Sequence, residues 1–326
     1  MKKYLVVCLA VLLFNFTASA SHFMGGEITW KCIKSGPQIG KYVFQMKVYR
    51  DCSGAAFSQI AQTIDHHNYP AAGNISPMLM NFISAIDISP IGAAASGNAC
   101  FDCASQDVGA VEEFTWRSDT LVLGGSPPAE GWHFTWGTCC RSSDITNGMA
   151  DASWTLRAVM LPYDDPVLGI LPANPCYDSS PEFKERAKTT ICSGYPFAYS
   201  HNASDEELDD ISYEWAEPLG ENTLYDPANP NSTALMFSAP YSVDFPIPGN
   251  PVLIPETGEI SYFSPNTNGV FVTCVKVAAI KCADTVAEIY REVQVQLINC
   301  PTMPSGAVNN PPIITDPVGS THPFSN

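Results

Sequence analysis

The sequence predicts an all-β protein built from two β-sandwich domains that disulfides hold together. Three observations lead to this prediction: strand-like alternation recurs along the chain, turn residues are frequent, and cysteines are numerous. The 326 residues include 27 prolines, 22 glycines and 12 cysteines, and only 15% of them are charged. Many short strands separated by turns are typical of sandwiches and not of alternating strand and helix units.

The first 20 residues have the three parts of a secretory signal peptide. Two lysines supply positive charge, residues 4–14 are apolar, and Ala18-Ser19-Ala20 supplies the small residues of a cleavage site. The apolar run is shorter than the roughly 20 residues needed to cross a bilayer. We therefore expect a mature chain from Ser21 that is secreted or displayed at the cell surface, with no transmembrane segment after cleavage.

The charge of the chain excludes one class of partner. Asp and Glu number 33 against 16 Lys and Arg, which gives a formal charge of −17. Such a field repels nucleic acid and attracts divalent cations. We expect partners among other surface proteins or glycans, and no nucleic acid.

Alternating apolar residues predict the strands. The clearest runs are residues 42–49, 132–136, 154–159, 269–277 and 292–297. Prolines interrupt the middle of the chain and place a connector there. The predicted organisation is an N-terminal sandwich, a proline-rich connector, a second sandwich and a flexible linker or tail, at residues 21–165, 166–190, 191–300 and 301–326.

One short helix is predicted inside the connector. Residues 180–186 begin with Ser180 as a cap and Pro181 at the first helical position, and charged residues follow. One or two helical turns are expected.

Eleven cysteines remain after signal cleavage, and in an exported chain they predict a disulfide framework. They are Cys32, Cys52, Cys100, Cys103, Cys139, Cys140, Cys176, Cys192, Cys274, Cys282 and Cys300. Because eleven is odd, at least one thiol is free, pairs with another chain or binds a ligand. The pairs at 100/103 and 139/140 lack zinc-ribbon spacing. Cys139 and Cys140 are expected to bond to two different partners.

Several motifs together resemble a known family. They are residues 21–30 (SHFMGGEITW), 48–52 (VYRDC), 139–141 (CCR), 179–183 (SSPEF) and 191–197 (ICSGYPF). The chain up to Cys300 resembles the N-terminal region of large Bacteroidetes surface proteins, which often carry a gliding-motility-associated sorting domain for type nine secretion. The resemblance implies a non-enzymatic secreted or cell-surface interaction or structural module, as part of an adhesin linked to gliding motility.

Residues 203–213 resemble the acidic loop of cadherin-like modules, which implies an immunoglobulin or cadherin-like fold for the second sandwich. Asp205, Glu207 and Asp209 alternate, so a turn can direct their carboxylates towards one Ca²⁺ ion. Two departures weaken the pattern. Glu207 stands where Asp is usual, and Leu208 replaces the glycine that permits a tight turn. The alternative is a solvated acidic loop.

The chain has no recognisable catalytic motif. It lacks Gly-x-Ser-x-Gly, His-Glu-x-x-His and a phosphate-binding glycine loop, so we expect no enzyme. A carbohydrate-binding module with exposed tryptophans is the second interpretation, although a buried aromatic core is the commoner outcome. An extracellular hydrolase with a non-obvious site is the third. The candidate tryptophans are Trp116, Trp132, Trp136 and Trp154.

Overall fold

A computed structural model describes residues 23–54, 57–70, 77–89, 102–106, 109–264 and 267–299. Within these ranges the chain is all-β, as predicted, and its only helical element is a 3-10 turn at Asn222–Leu224. The predicted signal peptide and the predicted tail lie outside the described residues. No helix in the described ranges is long and apolar enough to cross a membrane.

Eleven strands form the main sheet, nine of them in the first and last parts of the chain. These nine are β1 (Phe23–Cys32), β2 (Tyr42–Asp51), β3 (Gln62–His67), β4 (Met78–Asp87), β5 (Val111–Ser118), β6 (Trp132–Thr138), β7 (Trp154–Met160), β17 (Gly269–Lys281) and β18 (Asp284–Ile298). Shorter strands lie between β7 and β17. They are β8 (Asp164–Asp165), β9 (Gly169–Ile170), β10 (Glu182–Phe183), β11 (Thr190–Cys192), β12 (Pro196–Ser200), β13 (Ala203–Ser204), β14 (Asp210–Trp215), β15 (Val252–Leu253) and β16 (Glu259–Phe263).

Strand β18 closes eight strands into a ring. Hydrogen-bonded neighbours follow the order β1, β2, β5, β4, β3, β6, β7, β18 and back to β1, and every pair is antiparallel. Along its other edge β18 pairs with β17, which in turn pairs with β14. The last residues of β18 also pair in parallel with β11. The sheet is therefore continuous across the predicted connector, and two separate sandwiches are not confirmed.

Aromatic side chains fill the core. Phe44 of β2 and Phe134 of β6 lie with ring centroids 4.6 Å apart, and Trp30 packs against both. The four candidate tryptophans belong to this core, since Trp136 is 4% exposed and the other three are fully buried. Buried aromatic rings contribute large apolar areas to stability. The prediction that these tryptophans form an exposed carbohydrate-binding surface is therefore wrong.

The helix expected at residues 180–186 is absent, and this segment is irregular apart from a two-residue strand. Glu182 and Phe183 form β10, which pairs with β13. The Ser180 N–H donates to the carbonyl of Trp30 at 3.0 Å, and its hydroxyl accepts from the Trp30 N–H at 2.9 Å. Pairing with β1 outweighs the local capping signal, because helix propensity is a weak preference that tertiary contacts override.

Disulfides join distant parts of the described chain. Cys32 pairs with Cys176 and Cys52 with Cys103. Cys192 is also disulfide-bonded. Cys139 pairs with its neighbour Cys140, so the expectation of two different partners for these residues is wrong. The remaining predicted cysteines are Cys274 and Cys282, which are free, and Cys100 and Cys300, which lie outside the described residues.

The two free thiols among the described residues should differ in reactivity. Cys282 is exposed in the turn between β17 and β18, whereas Cys274 is buried and burial raises the pKa of its thiol. Since the thiolate is the nucleophile, iodoacetamide should alkylate Cys282 in the native protein and Cys274 only after unfolding. Peptide mass spectrometry measures both, with Cys282→Ser as the control. Equal labelling of both thiols in the native state would contradict this arrangement.

Candidate metal centre

Three carboxylates, two buried and one half-buried, meet where the connector approaches the acidic loop. Asp178 comes from the connector, and Asp205 and Glu207 come from the loop between β13 and β14. One carboxylate oxygen of each lies within 4.8 Å of the other two. Two of the three sequence-predicted calcium ligands are thus brought together, and a residue that was not predicted joins them.

The loop is tight although it lacks a glycine. Oδ1 of Asp205 accepts hydrogen bonds from the backbone N–H of Glu207 at 2.8 Å and of Asp209 at 3.1 Å. Leu208 adopts the left-handed conformation, with φ 66°, and its side chain projects into solvent. An Asp side chain that bonds the backbone two residues ahead stabilises such turns. The leucine therefore occupies the conformation that usually favours glycine.

Asp178 is fixed in place by contacts with the end of β1. The disulfide of Cys32 and Cys176 ties the connector to β1 two residues before Asp178. One residue after it, the Ser179 hydroxyl accepts a hydrogen bond from the Cys32 N–H at 3.0 Å. Asp178 is only 2% exposed. Its carboxylate therefore faces the loop from a rigid segment.

Asp209 is placed differently from the prediction. Its Oδ2 lies 2.5 Å from Nζ of Lys281, whose ammonium group is also 3.0 Å from Oδ1 of Asp178. Lys281 is the last residue of β17. Asp209 is thus neutralised by a lysine, and Asp178 completes the three-carboxylate cluster.

Each of the three carboxylates has at least one buried oxygen without a hydrogen-bond partner. These atoms are both oxygens of Asp178, Oδ2 of Asp205 and Oε2 of Glu207, although Oδ1 of Asp178 forms an ion pair with Lys281 at 3.0 Å. Oε1 of Glu207, by contrast, accepts from the Ser179 hydroxyl at 3.1 Å and pairs with Lys34. A buried carboxylate oxygen without a partner costs free energy. Carboxylates with such oxygens, gathered within 4.8 Å of one another, could share one cation.

The local charge agrees with this interpretation. Four carboxylates, those of the cluster and of Asp209, face the ammonium groups of Lys34 and Lys281, so full ionisation leaves a formal charge of −2. Burial raises the pKa of Asp178 to about 8, although Lys281 pulls it down. Burial also raises the pKa of Asp205. Without a cation the cluster is electrostatically unfavourable.

The donor set fits Ca²⁺. Calcium takes six to eight oxygen ligands at about 2.3–2.6 Å, so ligands on opposite sides of the ion lie about 4.6–5.2 Å apart. Oxygens within 4.8 Å of one another are close enough to bind the same ion. Asp178, Asp205 and Glu207 would hold the ion, and water would complete the shell.

Comparison with known proteins gives no relative. No protein-family model, no curated protein and no solved structure matches the chain. The resemblance to Bacteroidetes surface proteins therefore stays a prediction. The chemistry of the carboxylate cluster is the basis for the function proposed below.

Proposed function

We propose that the protein is an exported, non-enzymatic interaction or structural module whose fold one Ca²⁺ ion completes. Two observations carry this proposal. One carboxylate oxygen of each of Asp178, Asp205 and Glu207 lies within 4.8 Å of the other two, and each of these residues has a buried oxygen without a hydrogen-bond partner. The disulfides support export, because such bonds persist in oxidising compartments. The motif resemblance extends the proposal to a bacterial cell surface and to an adhesin linked to gliding motility.

The ion would act by joining two segments that the sequence separates. Asp178 precedes β10 and Asp205 directly follows β13, and these two strands pair only through residues 182–183 and 203–204. A bound cation would link the two chain segments at the end of this short strand pairing. Since calcium would bind the folded chain and not the unfolded one, it stabilises the fold by about 2.7 kcal/mol when free calcium is about 100 times its Kd.

Thermal unfolding with and without calcium tests the proposal. The wild-type protein should unfold roughly 5 °C or more higher in calcium than in EDTA. Asp178→Asn and Asp205→Asn should each abolish that difference, because each removes one charged ligand. In EDTA near pH 7, Asp178→Asn should be about as stable as the wild type, because burial raises the pKa of Asp178 to about 8 and its carboxyl is then mostly neutral.

Asp209→Asn is the matched control inside the loop. Its carboxylate pairs with Lys281 and is hydrogen-bonded to Asp178, but it supplies none of the three clustered oxygens, so the variant should keep a calcium response. Asp244→Asn, at an exposed position, controls for loss of one negative charge. A normal calcium response in Asp178→Asn, or a response lost only in Asp209→Asn, would show that the proposed ligand set is wrong.

A further inference from the structure

An open groove of about 660 Å³ lies beside the metal centre. Side chains of β1, β2 and β5 line one side of it, and the connector and the acidic loop line the other. The residues that matter for its chemistry are Thr29, Lys31, Gln45, Arg117, Ser204 and Glu206.

The floor of the groove is a row of polar side chains across three paired strands. Thr29 lies opposite Gln45, and Gln45 lies opposite Arg117. The row offers a hydroxyl, an amide and a guanidinium group. The backbones beneath it are already hydrogen-bonded within the sheet, so an extended peptide has no free strand edge to join here. Such a surface suits a ligand that presents hydroxyl groups.

Arg117 is the unusual member of this row. Its exposed guanidinium donates to Oε1 of Gln45 at 3.2 Å, and within the described residues it forms no ion pair. The other two cations of the groove are paired, Lys31 with Glu206 and Lys184 with Glu182. The charge of Arg117 is therefore available to an anionic group of a ligand in the groove. A planar guanidinium group can donate two parallel hydrogen bonds to a carboxylate.

We propose that this groove binds an acidic saccharide, a glycan whose uronic-acid carboxylate pairs with Arg117 and whose hydroxyls bond the polar floor. The calcium dependence of this binding rests on the function proposed above. Glu206 lies between the ligands Asp205 and Glu207, and its carboxylate is 3.0 Å from the ammonium group of Lys31 in the groove. Ser179 lines the groove and donates to Glu207. Bound calcium would thus fix the positions of Glu206 and Ser179, which line the groove.

A glycan array with uronic-acid oligosaccharides and their methyl esters tests the inference on the full mature chain. We expect binding to the acids in millimolar calcium and little binding to the esters, which keep the sugar but lose the charge. Arg117→Gln should weaken binding by about 10- to 100-fold, as expected for loss of a charged hydrogen bond, and should keep the calcium response of the Tm. Lys188→Gln, outside the groove lining, should bind like the wild type.

The outcomes separate the saccharide proposal from the calcium proposal. Loss of binding in EDTA and in Asp178→Asn supports the coupling of the two sites. Binding that persists in both supports the groove and overturns the coupling. Equal binding of acids and esters, unchanged binding by Arg117→Gln, or no uronic-acid binding overturns the saccharide assignment. Binding of an acidic peptide in place of the sugars also overturns it.

Discussion

Replacing Arg291 by methionine is expected to lower the free energy of unfolding by about 3–5 kcal/mol. Arg291 on β18 is buried, and its Nη2 lies 3.0 Å from Oε1 of Glu27 on β1. Its guanidinium also stacks 3.7 Å from the ring centroid of Phe183 and donates to the carbonyl of Glu185 at 2.9 Å. Removing it leaves the Glu27 carboxylate buried without its countercharge.

Urea unfolding measures this loss, and a double variant isolates its cause. Glu27→Leu combined with Arg291→Met removes both charges and should recover part of the stability, because an apolar pair leaves no uncompensated ion. Lys184→Met is the surface control. Its ion pair with Glu182 is half-exposed, so its loss should cost at most about 1 kcal/mol. A similarly small loss of unfolding free energy in Arg291→Met would contradict the stabilising role of the buried ion pair.

Replacing Gly25 by alanine should cost roughly 3 kcal/mol or more, through a clash in the backbone of the core. Gly25 has φ +136° and pairs with Val293 where β1 meets β18. An added Cβ would lie 2.0 Å from the carbonyl oxygen of Glu292. Only a shift of β18 can relieve that contact, and the shift would open the eight-strand ring.

Gly124→Ala provides the matched control for this substitution. A Cβ at Gly124 meets no atom within 4 Å, so that variant should stay within about 0.5 kcal/mol of the wild type. Urea midpoints of the two variants compare them directly. Hydrogen exchange should also show loss of protection in β1 and β18 of Gly25→Ala alone. A urea midpoint for Gly25→Ala equal to that of the wild type would contradict the pairing of β1 with β18 that closes the ring.

Strand positions were predictable because alternation is a local property. Residues 42–49 alternate in the sequence, and in β2 the side chains from Tyr42 to Val48 alternate between buried and half-buried. The ring was not predictable, because β18 returns to β1 through pairs such as Gly25 with Val293, far apart in the chain. The motif resemblance included Gly25, but only the close approach of β18 explains why it must be glycine.

The metal centre was predictable in part for the same reason. Alternation placed Asp205 and Glu207 on one side of the loop, and the structure brings them together. The pattern failed at Asp209, because Leu208 turns the chain through a left-handed conformation and Asp209 pairs with Lys281. Asp178 gave no local signal, since its position depends on contacts between the connector and β1.

A crystal structure determined in calcium tests the proposed metal centre most directly. We expect one strong density peak coordinated by Asp178, Asp205 and Glu207 at about 2.3–2.6 Å, with water completing the shell. Asp209 should remain on Lys281, as described above. No peak between these three carboxylates in saturating calcium, or a peak bound by Asp209 in place of Asp178, would contradict it.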